Sequence, residues 1–172
     1  MNINTTYTKI ITGEDLMETA QHGSTLYPFQ FYYEDLSVFD FNCIEWHWHT
    51  ELEFIYIESG TVTLWIGEDQ FHLTEGNGIF INTKVLHRLY SPSKALIPNF
   101  VFMPSFIAPC DSLIYQKYIL PIISSSLPFL VFHKKVCWQA KVLSIMRQII
   151  SAQDSVSSKE LLTSSLLQNL WL

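Results

Sequence analysis

Four polar side chains that alternate along a short segment could do chemistry together. They are two imidazoles and two carboxylates: His47, His49, Glu51 and Glu53. Because neighbouring side chains of a β-strand point to opposite faces, a regular strand would place all four on one face. Histidine nitrogens and carboxylate oxygens bind divalent metals, and they also form hydrogen bonds with a polar ligand. The spacing therefore predicts a binding face, while Trp46 and Trp48 on the other face are expected to pack against helices.

A further histidine, His87, follows eleven residues after the turn glycine Gly76 and falls in a predicted strand. If the strands close into a small barrel, this imidazole could meet the first set. The expected ligand-binding group is His47, His49, Glu51, Glu53 and His87. The expected metal-binding group is His47, His49, Glu53 and His87, with Zn, Ni, Mn or Fe as candidate ions. The alternative to a metal is a hydrogen-bonded polar cluster that lines a pocket. The remaining histidines are expected to be structural or at the surface: His22, His72 and His133.

Short strands and turns surround these residues. Turn clusters occur at Gly67–Asp69 and Glu75–Gly78, where glycine permits tight reversals. Seven strands are predicted: Phe29–Tyr33, Glu51–Ile57, Thr61–Ile66, Gln70–Leu73, Ile79–Ile81, Leu86–Tyr90 and Ile97–Met103. Strands of this length, separated by frequent turns, are typical of a sandwich or a barrel.

The last part of the chain changes to helical spacing. Apolar residues recur every three or four positions from Val136 to Ile150. Ser157 and Glu160 have the spacing of a capping box for a leucine-rich helix. Three leucines of that helix would share one face: Leu162, Leu166 and Leu170. That face could fold back on the barrel or pair with a second copy. Pairing is favoured because the exposed stripe would be large for a monomer.

The composition excludes several classes of protein. The chain has 172 residues, of which 48 % are hydrophobic and 15 % are charged, so it is not a disordered segment. A formal net charge of −6 argues against a stand-alone nucleic-acid binder. Three widely spaced cysteines predict neither a disulfide framework nor a zinc knuckle, which suits the reducing cytoplasm. The sequence has no signal-peptide pattern and no apolar run of transmembrane length, so no membrane partner is expected.

The residues around the site resemble the two cupin motifs. The first motif is His-x-His, three residues, Glu, six residues and Gly, and it is matched by His47, His49, Glu53 and Gly60. The second is matched at Gly76 and His87. The departures are Phe41, where the first motif begins with Gly, and Asn82, Lys84 and Ser91, where the second has Pro, Gly and Asn. The resemblance implies a cupin barrel, which is a double-stranded β-helix or jelly roll.

The segments Trp46–Gly60 and Gly76–His87 more closely resemble the N-terminal sensor domains of AraC-type transcription regulators. In that family the second motif is commonly Ile-Asn, four residues and His, which is the pattern from Ile81 to His87 here. The resemblance spans roughly residues 28–172 and implies a mainly β fold with C-terminal helices. The expected domains are an N-terminal arm at 1–25, a cupin barrel at 26–105 and a helical dimerisation segment at 106–172. A DNA-binding domain is absent from this chain, and the leucine-rich end suits a fragment of a longer protein.

The resemblance implies a cytoplasmic, dimeric, non-enzymatic sensor of a small polar molecule, such as a sugar or a related metabolite. DNA would be bound only through the missing C-terminal domain. The first alternative is a metal-dependent cupin enzyme, such as a dioxygenase, isomerase or epimerase. The second is a metal-free module that acts through protein contacts, for which the pocket would be too small for a ligand.

Overall fold

The computed structural model describes residues 7–155 and 157–172, and these residues form two antiparallel sheets and three α-helices. The strands are β1 (Phe29–Asp35), β2 (Cys43–His47), β3 (Leu52–Tyr56), β4 (Thr61–Ile66), β5 (Asp69–Thr74), β6 (Gly78–Ile81), β7 (His87–Tyr90), β8 (Leu96–Phe102) and β9 (Phe129–Phe132). The helices are α1 (Leu120–Ile123), α2 (Cys137–Ala152) and α3 (Lys159–Trp171). One sheet has the order β1-β8-β3-β6-β9 and the other has the order β2-β7-β4-β5.

Each of the seven predicted strands overlaps an observed one, and the mainly β fold with C-terminal helices is confirmed. Strand β9 was missed, because its four residues lie in the part read as mostly helical, yet they pair with β6 at the edge of the larger sheet. The predicted capping box is wrong. The residue before α3 is Ser158, not Ser157, and its side chain makes no capping hydrogen bond.

The apolar side chains form two cores on opposite faces of the larger sheet. Between the sheets lie mostly aliphatic residues: Ile55, Ile57, Leu64, Ile79, Ile81 and Leu89. The other face is aromatic and packs against α2 and α3 through Phe54, Phe80, Phe100, Phe102 and Phe132. Alternation along the strands produces this division, since successive side chains point to opposite faces. Strand β3 therefore contributes to both cores. Within the described part of the chain, no helix has the length and apolar character needed to cross a membrane.

The N-terminal arm packs against the connection between β2 and β3. Residues 1–6 of the predicted arm lie outside the described residues. The Trp48 indole nitrogen donates to the carbonyl of Asp15 at 2.8 Å. The backbone of Trp48 also accepts from Glu18 and donates to Leu16. Trp48 was expected to pack against helices. The prediction was wrong because the arm occupies this surface.

Gly60 shows why the chain requires glycine at the end of the first motif. Its φ is +87°, and an added Cβ would lie 2.7 Å from the carbonyl oxygen of Lys94 and 2.9 Å from Cα of Ala95. We expect Gly60→Ala to lower the free energy of unfolding by about 2–4 kcal/mol, from backbone strain plus overpacking. Gly67→Ala is the matched control, because Gly67 also has positive φ but has no atom within 4 Å of the added Cβ. Equal losses in urea unfolding of the two variants would contradict the steric explanation.

Candidate functional site

The predicted histidine strand is two strands that belong to different sheets. His47 is the last residue of β2 and Glu53 lies in β3, while His49 lies in the connection that crosses between the sheets. The prediction that one regular strand carries all four side chains on one face is therefore wrong. The connection nevertheless places His47, His49 and Glu53 at the interior, because it joins two sheets that face each other.

A β-bulge in β2 aims His47 at His87. Ile44 pairs with Leu89, but His47 pairs with His87, so β2 has one more residue than β7 over this stretch. An extra residue reverses the alternation of side chains, and Ile44 and His47 consequently both face inward. The rings of His47 and His87 lie 4.0 Å apart, centroid to centroid. The predicted meeting of His87 with the first motif is thus observed in the structure.

Backbone carbonyls orient all three imidazoles. Nδ1 of His47 donates to Glu45 at 2.8 Å, Nδ1 of His87 donates to Val85 at 2.9 Å, and Nδ1 of His49 donates to Glu51 at 3.2 Å. A carbonyl oxygen only accepts, so each Nδ1 carries a proton and each Nε2 is left for the interior. Histidines that bind metals are commonly held in this way by a second hydrogen bond.

Glu53 lies between two of the inward-facing nitrogens. Its Oε2 is 3.3 Å from Nε2 of His49 and 3.2 Å from Nε2 of His87. The buried His87 Nε2 has no partner with hydrogen-bond geometry among the described residues. One ligand atom from each of His47, His49 and His87 lies within 4.8 Å of the others. Three imidazoles and one adjacent carboxylate are a donor set that fits a divalent transition metal.

The electrostatics couple Glu53 to His49. Burial alone would raise the pKa of the Glu53 carboxyl, but His49 and His87 lower it well below its ordinary value. Burial alone would lower the pKa of His49. Its hydrogen bond to Glu53 and the charges of the surrounding carboxylates outweigh the effect of burial, so this pKa is raised. Burial, and then the charge of His87, hold the pKa of His47 well below its ordinary value. The site therefore combines an ionised carboxylate, a proton-binding imidazole and a neutral imidazole.

Glu51 lies behind His49 and does not line the interior cavity. Its carboxylate Oε2 is 3.8 Å from Nδ1 of His49, and its carbonyl accepts from the same nitrogen. The hydroxyl of Thr50 donates to that carboxylate at 3.3 Å. Of the predicted ligand-binding residues, Glu51 is therefore placed to orient His49 rather than to contact a molecule inside the barrel.

The N-terminal arm closes the interior over these groups. A cavity of about 30 Å³ lies beside His47, His49 and Glu53. Among the described residues of the arm, the polar ones that line it are Tyr7, Glu18 and His22, and they do so together with Glu34 of β1 and Asn99 of β8. His22 was expected to be isolated from the motif. That expectation was wrong, because its ring packs edge-to-face on His49 with a centroid separation of 5.5 Å.

The sequence did not predict several of the residues that line this cavity. Asn99 is a polar residue in the otherwise apolar strand β8, and Glu34 follows an aromatic run in β1. Both patterns signal a buried polar group, since an apolar strand rarely carries an unpaired one. His22 and Glu18 have no such local signal. Only the docking of the arm brings them to the site.

We expect the Glu53–His49 pair to make stability depend on pH in a specific way. Glu53 has a lowered pKa, so its contribution is present above its unfolded pKa, near 4.5, and is lost as pH falls through the folded value. His49 has a raised pKa, so its contribution is present below 6.5 and is lost as pH rises through the folded value. The pair therefore contributes most between these two unfolded values. Urea unfolding against pH in EDTA tests this, with Glu53→Gln as the control that should flatten the profile. A wild-type profile that rises steadily through neutral pH would contradict it.

Comparison with known proteins supports one family. The family described as "AraC-like ligand binding domain" has a sequence model that matches residues 30–171 of this chain. The chain belongs to this family. AraC-like ligand-binding domains include the regulator sensor domains that the sequence resembled, so that resemblance is confirmed. The cupin barrel with C-terminal helices is confirmed as well.

Individual relatives of this AraC-like domain are distant. The HTH-type transcriptional regulator YdeC of Bacillus subtilis, itself uncharacterised, is 24 % identical over 143 residues. The match covers 81 % of this chain and 48 % of YdeC, so the chain spans about half the length of that relative. ToxT of Vibrio cholerae has a similar fold, with a TM-score of 0.55, 15 % identity and coverage of 83 % of this chain and 54 % of ToxT. An RmlC-like cupin of Shewanella frigidimarina is similar over 44 % of this chain and 67 % of its own, with 17 % identity and a TM-score of 0.40.

Proposed function

We propose that this chain is the effector-binding and dimerisation domain of a cytoplasmic, non-enzymatic transcription regulator that senses a small polar molecule inside the barrel. DNA binding belongs to a separate domain of the whole protein. The AraC-like family and the similarity to YdeC support the regulatory role. The observation that carries the sensing role is the shared lining of the cavity. Polar groups of the arm, such as Glu18 and His22, face polar groups of the strands, such as Glu34 and Glu53.

Shared lining couples a ligand to the position of the arm. The cavity of about 30 Å³ accommodates one or two water molecules, whereas small-molecule pockets are commonly hundreds of Å³. A sugar-sized effector therefore enters only when the arm moves from its place over His49. The effector shifts the balance between the docked and displaced arm by its difference in affinity for the two states.

Isothermal titration with a library of sugars and related metabolites tests the sensing role, combined with limited proteolysis of the arm. An effector should give saturable heat. It should also change the rate at which a protease cleaves the part of the arm that docks on Trp48. Complete silence across a broad library, with folded protein, would favour the metal-free module that acts through protein contacts alone.

We place the proposed dimer contact on helix α3. Leu162 is 41 % exposed, and Leu166 beside it is partly exposed, whereas Leu167 of the same helix is buried against the barrel. An apolar face next to a groove between α2 and α3 suits pairing with the same face of a second copy. Leu162→Glu is expected to shift the protein from dimer to monomer in sedimentation, because a charge would be buried in the contact. Leu113→Glu, on a 77 % exposed residue elsewhere, should leave the dimer intact. A monomeric wild-type protein would reject the contact.

A second candidate function is a metal-dependent cupin enzyme, such as a dioxygenase, isomerase or epimerase. It is favoured by the three converging nitrogens of His47, His49 and His87, with Glu53 beside them. A Zn, Ni, Mn or Fe ion held there would act as a Lewis acid or redox centre. Metal analysis of protein purified without chelators discriminates the two functions. Stoichiometric metal with a large loss of thermal stability in EDTA favours the enzyme, and substoichiometric metal with unchanged stability rejects it.

A further inference from the structure

A groove lies outside the barrel, between the larger sheet and the helices α2 and α3. Its volume is about 490 Å³, which is within the range of pockets that bind small molecules. It shares no lining residue with the cavity beneath the arm, and none with the groove beside the proposed dimer contact. Neither the proposed sensing site nor the proposed dimer contact therefore accounts for it.

Five aromatic rings line this groove in a continuous series. In the middle, the ring centroid of Phe54 is 5.0 Å from that of Phe80 and 6.3 Å from that of Phe132. At one end Trp171 packs edge-to-face on Phe80, with 6.2 Å between the centroids and an angle of 83° between the rings. At the other end Trp138 packs edge-to-face on Phe132, at 6.4 Å and 90°. A tryptophan thus stands at each end of a row of phenylalanines.

Aromatic side chains at the rim of the groove remain open to solvent. Trp138 is 53 % exposed and Tyr118 is 54 % exposed. Trp171 is held in place, because its indole nitrogen donates to the carbonyl of Tyr118 at 2.9 Å. Aliphatic side chains complete the walls: Ile122, Leu130, Val142, Ile145 and Leu170. An exposed apolar surface of this kind marks a binding site, and its many rings favour a ligand that carries rings itself.

The groove also has a positive charge at its edge. Lys141 is the only charged side chain among the described residues that line it. It lies one turn after Trp138 on α2, and in the described part of the chain it makes no ion pair. The chain as a whole has a formal net charge of −6, so it does not attract anions in general. Lys141 therefore gives this groove a local preference for a negatively charged group.

We infer that this groove binds an aromatic carboxylate, whose rings pack between Trp138 and Trp171 while its carboxylate pairs with Lys141. Rings gain edge-to-face and offset-stacked contacts with the aromatic lining. A rigid ring system also loses less conformational freedom on binding than a flexible chain of similar size. The inference goes beyond the proposed sensing of a polar molecule inside the barrel. Because α2, α3 and the larger sheet all line the groove, its ligand would hold the helices against the barrel.

Isothermal titration of the full chain with three probes tests the inference, in EDTA so that no metal at the barrel histidines binds the carboxylate. The probes are 2-naphthoate, its uncharged analogue 2-naphthylmethanol, and the linear acid decanoate. We expect 2-naphthoate to bind about threefold or more tightly than the alcohol, because a partly exposed ion pair has a modest effect. It should also bind about threefold or more tightly than decanoate, because the chain has to be ordered. In NMR spectra the indole signals of Trp138 and Trp171 should shift, whereas that of Trp65 in the smaller sheet should not.

Three variants assign the two parts of the ligand to their residues. Trp138→Ala should weaken the binding of 2-naphthoate and of the alcohol about tenfold or more, because both use the ring. Lys141→Gln should remove the preference for the acid and leave the affinity for the alcohol unchanged. Lys135→Gln removes the same charge from an exposed position outside the groove, so it should keep the preference. Trp138 and Lys141 are both exposed, and we expect these variants to fold.

The outcomes decide this inference separately from the sensing function, since the groove and the cavity beneath the arm share no residue. If 2-naphthoate does not bind the folded protein at millimolar concentration, or binds no more tightly than the alcohol, the assignment is rejected. Tighter binding of decanoate would reject the aromatic class. If Trp138→Ala dissociates a wild-type dimer in sedimentation, a second copy covers the groove, and the ligand assignment is likewise rejected.

Discussion

Replacing Glu53 with alanine is expected to lower the free energy of unfolding by about 3–5 kcal/mol, because it breaks a buried charge pair from one side. Oε2 of Glu53 is within 3.3 Å of Nε2 of both His49 and His87, and its side chain is 8 % exposed. Without the carboxylate, His49 loses its hydrogen bond and His87 loses an adjacent negative charge inside the barrel. Urea unfolding at pH 5–6 in EDTA measures the loss, since both the carboxylate and His49 are charged there.

Glu53→Gln is the matched control for this prediction. The amide keeps the shape and one acceptor oxygen but removes the charge, so we expect an intermediate loss of about 1–3 kcal/mol. A loss below about 1 kcal/mol for the alanine variant would show that Glu53 does not hold the histidines. The prediction is specific to the site, because the neighbouring residues of β3 face the aromatic core instead.

Replacing Phe54 with alanine is expected to lower the free energy of unfolding by about 3–5 kcal/mol and to loosen the helices from the barrel. Phe54 is 4 % exposed and lies at the centre of the aromatic core. Its ring centroid is 5.0 Å from that of Phe80 and 5.4 Å from that of Phe100. Truncation leaves a cavity between the larger sheet and helix α2, and the rings around it lose their contacts.

Hydrogen exchange separates a local effect from a global one for this variant. We expect faster exchange of backbone amides in α2 and α3 than in β5, which lies in the other sheet. Phe71→Ala is the control, because Phe71 of β5 is partly buried and packs on Phe129 with 4.6 Å between the ring centroids. Its loss should be smaller and should leave exchange in α3 unchanged. Uniform acceleration throughout the Phe54 variant would contradict a role in attaching the helices.

Strand β3 connects the two predictions. Glu53 faces the barrel interior and Phe54, the next residue, faces the helices. A change in the position of Glu53 therefore displaces the side chain on which α2 packs, since adjacent residues share one backbone. This arrangement is a direct physical link between the proposed effector site and the proposed dimerisation helices.

The sequence alone was sufficient for seven of the strands, for helix α2 and for the residues of the first motif, but not for strand β9. Alternating and helical periodicities depend only on local backbone geometry, so the strands and α2 could be located with errors of a few residues. The spacing of His47, His49, Glu53 and His87 matched a family pattern, and these side chains do converge. Local periodicity failed where the register changed. The bulge in β2 and the crossing between sheets altered which faces Trp48 and Glu51 occupy.

The tertiary structure alone decided the second half of the site. Glu18 and His22 reach the cavity only because the arm docks on Trp48, and Glu34 meets Asn99 only because β1 pairs with β8. The residues in the second pair are separated by 65 positions in the chain, and no periodicity relates them. Their burial brings these polar residues together in a small cavity and removes the water that would otherwise solvate them. The sequence thus determined the fold and the histidine motif, and the docking of the arm over the barrel determined the size of the enclosed cavity and the polar groups that line it.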